Sequence, residues 1–124
     1  MRVRVVDASA LGALVFGEPE AEPIVSKLSN APLVAPALLW FELASICLKK
    51  IKAHPAQKTL LFNAFNLARK LAIQIVEVDH SEVILLARET DLTTYDASYV
   101  WLAQRLKGEL VTLDTKMLRV LTRS

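Results

Sequence analysis

The nine residues VRVVDASAL, Val3 to Leu11, set the reading of the whole chain. Val3, Val5 and Val6 read as a buried β-strand, because β-branched side chains suit a pleated, packed surface. The run stops on a carboxylate, Asp7, and small residues in a helical pattern follow. Asp accepts hydrogen bonds from the free N–H groups of a helix's first turn, so capping alone accounts for it. A second reading puts Asp7 at the mouth of a site, since ligands of open parallel sheets sit beyond the carboxyl ends of the strands.

The same pattern recurs near the other end. In LVTLDTKML an apolar strand over 109–113 again stops on an acid, Asp114, and a helix follows. Two further strands are expected, PLVA at 32–35 and the alternating AIQIVEV at 72–78. Between them lie helical segments: 8–16, stopped near Gly17; EPEAEPIVSKLSN, with acids and prolines at its start and Asn30 at its end; and Pro36 to about Lys52. His54-Pro55 breaks the pattern, because the residue before proline disfavours the helical region. A strongly apolar helix over 56–71, one from Asp79 or Ser81 to Glu89, one from Thr93 to Leu106 closed by Gly108, and a last one after Asp114 complete the series. Strands alternating with helices indicate an α/β architecture with a parallel sheet and right-handed crossovers.

With 124 residues the chain reads as a single domain, 1–124. At this size about two-thirds of the unfolded surface becomes buried. The 53 % hydrophobic content excludes disorder. No apolar run approaches the ~20 residues of a membrane span. No signal-peptide pattern precedes the first strand, and the single cysteine, Cys47, lies in an apolar helical stretch as a small core residue. The expectation is a cytoplasmic protein without membrane association. The formal net charge of +2 says little, but twelve of the fifteen basic residues lie from Lys49 onward. With four acids neutralised by metal, such a surface attracts a polyanion.

Two more carboxylates stand out. Glu42, in APALLWFELASICLKKI, has Leu38, Leu39, Ser45 and Ile46 as helical neighbours. A carboxylate on an apolar stripe is costly unless paired, protonated or bound to metal. An ion pair with Lys49 is the ordinary alternative. Asp96, in TTYDASYVWLAQRL, has Leu92, Tyr99 and Val100 beside it. There the ordinary alternative is a capping box, with Thr93 as cap. Taken together, Asp7, Glu42, Asp96 and Asp114 meet one chemical need. Hard divalent ions such as Mg²⁺ or Mn²⁺ prefer carboxylate oxygens and retain waters able to attack phosphate. Without an ion the crowded acids would repel and hold protons more tightly.

VVDASAL with FGEPE, FELAS, TTYDASYVWLA and LVTLDTKML resembles, in order and spacing, a PIN domain. More narrowly, the chain is similar to the ribonuclease toxins of VapBC-type toxin–antitoxin pairs. The resemblance implies a three-layer α/β/α sandwich around a parallel sheet of four or five strands. It implies an acidic pocket of Asp7, Glu42, Asp96 and Asp114. Asp7 and Asp96 would be the principal metal ligands, directly or through water, and Asp114 would complete the coordination. Glu42 would orient a water or hold a second ion. Ser9 and Thr112 would support the pocket by hydrogen bonds. The implied activity is Mg²⁺- or Mn²⁺-dependent hydrolysis of RNA phosphodiester bonds, the implied assembly a homodimer, and the implied partner a small antitoxin. A non-catalytic interaction module on the same fold, or a PIN nuclease outside any toxin–antitoxin pair, are the competing readings.

The remaining residues offer no rival chemistry. No serine, cysteine or histidine constellation supplies a nucleophile, and His54 and His80 lack zinc spacing. A phosphoreceiver domain needs an acceptor Asp on a middle strand, yet no Asp lies between Asp7 and Asp79. Trp40 and Trp101 are expected to pack in the core, and Tyr95 to be partly buried with contact to RNA as its alternative. Lys49, Lys50 and Lys52, or Lys116 and Arg119, are candidate phosphate contacts, Arg119 foremost. Phe62, beside the main stripe of the 56–71 helix, marks apolar surface for a dimer or an antitoxin, or simply more core.

Overall fold

A computed structural model describes residues 2–122. Strands β1 (Arg4–Val6), β2 (Leu33–Ala35), β3 (Ile73–Ile75) and β4 (Glu109–Val111) form one sheet in the order β3-β2-β1-β4, every pair parallel. Val5 is matched by Val34 on one side and Leu110 on the other. Central β1 is thus paired on both edges, and its Val5 and Val6 are fully buried, as the apolar run implies. The third strand is shorter than its alternating sequence suggests. Val76 still donates to Ala35 O at 2.9 Å, but 76–79 then leave the sheet edge, where a single neighbour holds them. Among the described residues the sheet has four strands and no fifth.

Among the described residues seven α-helices surround it: α1 (Ala8–Val15), α2 (Ala21–Leu28), α3 (Leu38–Ala53), α4 (Lys58–Ala68), α5 (His80–Thr90), α6 (Thr94–Leu106) and α7 (Thr115–Thr122). Helices α1 to α4 pack against one another, as do α5 to α7, with the sheet as the middle layer. The three-layer α/β/α sandwich is as expected. The core runs through Val5, Val6, Leu11, Leu39, Leu43, Tyr99, Val100, Leu102 and Met117, all at most 1 % exposed.

Local chemistry fixes how the helices enter. Asp7 caps α1, Thr93 caps α6 and Asp79 caps α5, each through its side-chain oxygen. Gly12 lets α1 and α3 approach closely: a Cβ there would stand 3.2 Å from Ile46 Cδ1. Lys107, not Gly108, takes the left-handed turn that ends α6 (φ 52°), and Gly108 is needed for space instead. A Cβ would lie 2.9 Å from Val3 O, the acceptor of the Glu109 N–H.

The 56–71 segment departs from expectation. Pro55–Gln57 makes a single 3₁₀ turn, because proline favours a first-turn position, and α4 runs only to Ala68. Of its apolar residues Leu61 and Ala68 are buried, whereas Leu60, Phe62 and Leu67 are exposed. The apolar run is longer than the single face α4 turns inward. Cys47 is buried, and Trp40 and Trp101 pack partly buried against the core as expected. Arg69 lies 4.5 Å over the Trp40 ring, and Trp101 Nε1 donates to Glu82 at 3.0 Å. No helix of the described residues is long and apolar enough to cross a membrane.

Candidate active site

Because β1 and β4 are adjacent and parallel, both end on one edge of the sheet, and the residues beyond them meet. The Asp7 N–H donates to Val111 O at 3.2 Å. Asp7 is 5 % exposed. Its Oδ1 accepts from Ala10 N at 3.0 Å and from Ser9 Oγ at 2.7 Å, while Oδ2 accepts from the Thr112 hydroxyl. Ser9 Oγ in turn accepts from Leu113 N, and Thr112 Oγ1 from Asp114 N, both at 3.0 Å. Asp114 then takes the first-turn N–H groups of α7, Lys116 N at 2.9 Å and Met117 N at 3.3 Å. Both strand-end acids are therefore caps, as the ordinary reading has it. They also belong to one hydrogen-bonded lattice that stitches the ends of β1 and β4.

Glu42 reaches the same place from α3, brought near α1 by the Gly12 approach. Its Oε1 accepts from Tyr99 Oη at 2.6 Å. The alternative pairing with Lys49 is not made; the neighbouring Lys50 pairs instead with Glu18. Asp96 arrives on the first turn of α6, its N–H held by Thr93 Oγ1 at 3.1 Å. The Thr93 cap expected from the sequence is present, and it places the Asp96 carboxylate on the site.

Asp7, Glu42, Asp96 and Asp114 line one open cavity of about 370 Å³, with Ser9, Ser45, Ile46 and Tyr99. Its electrostatics are those of crowded acids. Burial pushes the Asp7 carboxyl above the usual carboxylate range, against the pull of its three hydrogen bonds, and the Asp114 charge pushes the same way. Glu42 is raised by burial, opposed by Tyr99, with the Asp96 and Asp7 charges adding to the rise. Asp96 is raised by burial and by Asp114, partly offset by Thr93 and Lys116. Tyr99 is pushed far above the phenol range by burial and by Glu42, so it stays a hydrogen-bond donor. Among the described residues, no three Asp, Glu, His or Cys side chains converge tightly enough to ligate one ion directly.

Lys116 Nζ donates to Asp91 O at 2.8 Å, and neither it nor Arg119 lines the cavity. Tyr95, expected to be partly buried, is 63 % exposed. Tyr99 was visible in the sequence only as a helical neighbour of Asp96. The spacing of three residues on one helix face is the signal that links it to the site.

A PIN-domain family model matches residues 4–121. The chain belongs to the PIN-domain family. This PIN domain is 29 % identical over 118 residues to Ribonuclease VapC3 of Pyrobaculum aerophilum, an alignment covering 91 % of this chain and 90 % of that protein. It also superposes on the crystal structure of PAE2754 from Pyrobaculum aerophilum with a TM-score of 0.77 and 26 % identity. That match covers 96 % of this chain and 84 % of the other. The family resemblance carried by VVDASAL, FELAS, TTYDASYVWLA and LVTLDTKML is thereby confirmed for this PIN domain, and so is its fold.

Proposed function

We propose that this PIN domain is a divalent-metal-dependent endoribonuclease, the toxin of a type II toxin–antitoxin pair. One observation carries the reading: four carboxylates from four separate elements line a single cavity, and three of them are held above their ordinary proton affinity. A fold that only docks a partner gains nothing from acids that burial first, and their neighbours' charges second, hold above the usual carboxylate range, whereas a cation offsets that cost. The relative named Ribonuclease VapC3 supports the same chemistry.

The donor set suits Mg²⁺ or Mn²⁺. A carboxylate oxygen has room for about two hydrogen-bond donors. Asp7 Oδ1 takes Ser9 and Ala10, while Oδ2 takes Thr112 alone and so has capacity to ligate an ion. Asp7 and Asp96 would hold the ion, with Asp114 completing the set. Since no three acids close on one point, water would bridge part of the shell, as Mg²⁺ prefers. When bound, the ion supplies charge stabilisation at the phosphate and an activated water.

The remaining steps fall to the protein's own groups. Ser9 and Thr112 lock the Asp7 carboxylate in one orientation. The Lys116 and Met117 N–H groups do the same for Asp114. Glu42, its proton affinity raised and its angle fixed by Tyr99, is suited to accept a proton from an attacking water at Oε2. The RNA substrate, a cognate antitoxin, a homodimeric assembly and a cytoplasmic site of action belong to the same proposal.

The test is cleavage of a panel of single-stranded and hairpin RNAs in Mn²⁺, Mg²⁺ and chelator, beside Asp96→Asn. Cleavage that needs the ion and is lost in Asp96→Asn is expected. Equal cleavage in chelator, or by the variant, overturns the proposal.

A further inference from the structure

A second cavity of about 370 Å³ adjoins the acidic one and shares Glu42 and Ser45 with it. Its other walls are Leu38, Phe41 and Tyr95. Phe41 is 80 % exposed and Tyr95 63 % exposed. Each aromatic precedes a site carboxylate in sequence: Phe41 before Glu42 on α3, and Tyr95 before Asp96 on α6. The two rings therefore stand on separate helices at the rim of one opening.

We infer that Phe41 and Tyr95 form a stacking subsite for an unpaired nucleobase next to the scissile phosphate. The inference rests on the proposed nuclease reading and adds to it a base-contacting subsite built by this chain's own rings. Continuity decides the occupant: a strand whose phosphate lies at Asp7 and Asp96 carries its next base past Glu42 and Ser45 onto the rings. A base is flat and apolar on its faces and polar at its edge. The shelf carries groups for both, two exposed aromatic rings with the Ser45 hydroxyl and Glu42 carboxylate on the same lining. An apolar groove between α3 and α4, lined by Ala44, Cys47, Leu48, Ile51, Phe62 and Phe65, offers nothing to a base edge, and the cavity on the far side of Tyr95, lined by His80, Thr94 and Ser98, includes none of the four acids. Stacking of this kind tolerates any base, because each has a π-face. A paired base cannot reach the rings, so duplex RNA is excluded.

The probe is the single-stranded RNA oligonucleotide that the parent protein cuts fastest in Mn²⁺. Phe41→Ala and Tyr95→Ala should each raise KM by roughly five- to a hundred-fold, with kcat within about two-fold. Phe41→Trp and Tyr95→Phe should restore the parent KM. A single abasic nucleotide beside the cleaved bond should raise KM for the parent but add little in Phe41→Ala/Tyr95→Ala, since the two losses are one interaction. Sedimentation velocity should give the same assembly for parent and variants. Unchanged KM in both alanine variants overturns the inference while leaving the nuclease reading intact. A change of assembly with KM unmoved assigns the rings to a contact between copies and overturns it too. A parent that cuts no RNA removes the nuclease reading first, and this subsite with it.

Discussion

Asp7→Asn separates the two roles of the strand-end acid. Asparagine is nearly isosteric and caps a helix as well as aspartate, so Ala10 N and Ser9 Oγ keep their acceptor. At Oδ2 the amide would donate to Thr112 Oγ1, whose proton turns toward Ser9 Oγ, 3.3 Å away. What disappears is a charge with 5 % exposure whose proton affinity burial already raises. The loss of charge-assisted hydrogen bonding, about 1 kcal/mol per bond, opposes a desolvation penalty of several kcal/mol. The raised carboxyl says that the penalty is larger. In chelator at neutral pH, Asp7→Asn should therefore be more stable than the parent by on the order of 1 kcal/mol, roughly 4 °C in Tm. Asp7→Ala behaves differently. It loses the cap, about 1 kcal/mol, and leaves the Ser9 and Thr112 hydroxyls without their acceptor, about 1 kcal/mol each. It should melt well below Asp7→Asn. Adding Mn²⁺ at a hundred times its Kd should stabilise the parent by about 2.7 kcal/mol and neither variant. Scanning calorimetry with and without chelator, alongside RNA cleavage, gives the answer. Parent-like cleavage by Asp7→Asn, or an Asn variant melting no higher than the Ala one, would refute the reasoning.

Tyr99→Phe removes the donor to Glu42 Oε1 and should cost about 1 kcal/mol in denaturant unfolding. It should also move the acidic limb of the cleavage profile to higher pH, since Tyr99 holds Glu42 down; an unmoved limb would free Glu42 from that role. In chelator the folded state retains protons on Asp7, Glu42 and Asp96 that the unfolded chain releases near 3.8 to 4.5. Stability should then fall as pH rises from that range through the raised folded values, and level off above them. Melting at pH 5 above that at pH 7.5, the gap closing with Mn²⁺, is the expected result; the opposite slope counts against carboxylate crowding. Gly108→Ala, whose Cβ would press on Val3 O, should cost about 1–3 kcal/mol and leave the cleavage rate per folded molecule unchanged.

Much of this was legible in the sequence because the strand-end acids carry their own context. Val3, Val5 and Val6 ending on a carboxylate mark β1, and Asp7 and Asp114 follow strands that a parallel sheet aligns at one edge. Glu42 and Asp96 were visible as acids on otherwise apolar helix faces. Three features were not legible. Tyr99 stood out only as a helical neighbour of Asp96; its ring is buried in the core, and its hydroxyl reaches Glu42 on another helix. Phe41 sits in an apolar run, LLWFEL, where periodicity does not say which ring turns outward; the fold leaves it 80 % exposed. In α4 the apolar residues outnumber what one helix face can bury; Phe62 is exposed, in line with its reading as apolar surface, but that Leu60 and Leu67 also turn outward was not legible.

The most direct measurement is an anomalous difference map from a crystal soaked in Mn²⁺. A single strong peak in the cavity, within about 2.5 Å of an oxygen of Asp7 or Asp96 with water completing the shell, is the predicted result. Manganese bound elsewhere on the molecule, with none between those side chains at saturating concentration and neutral pH, would contradict the account.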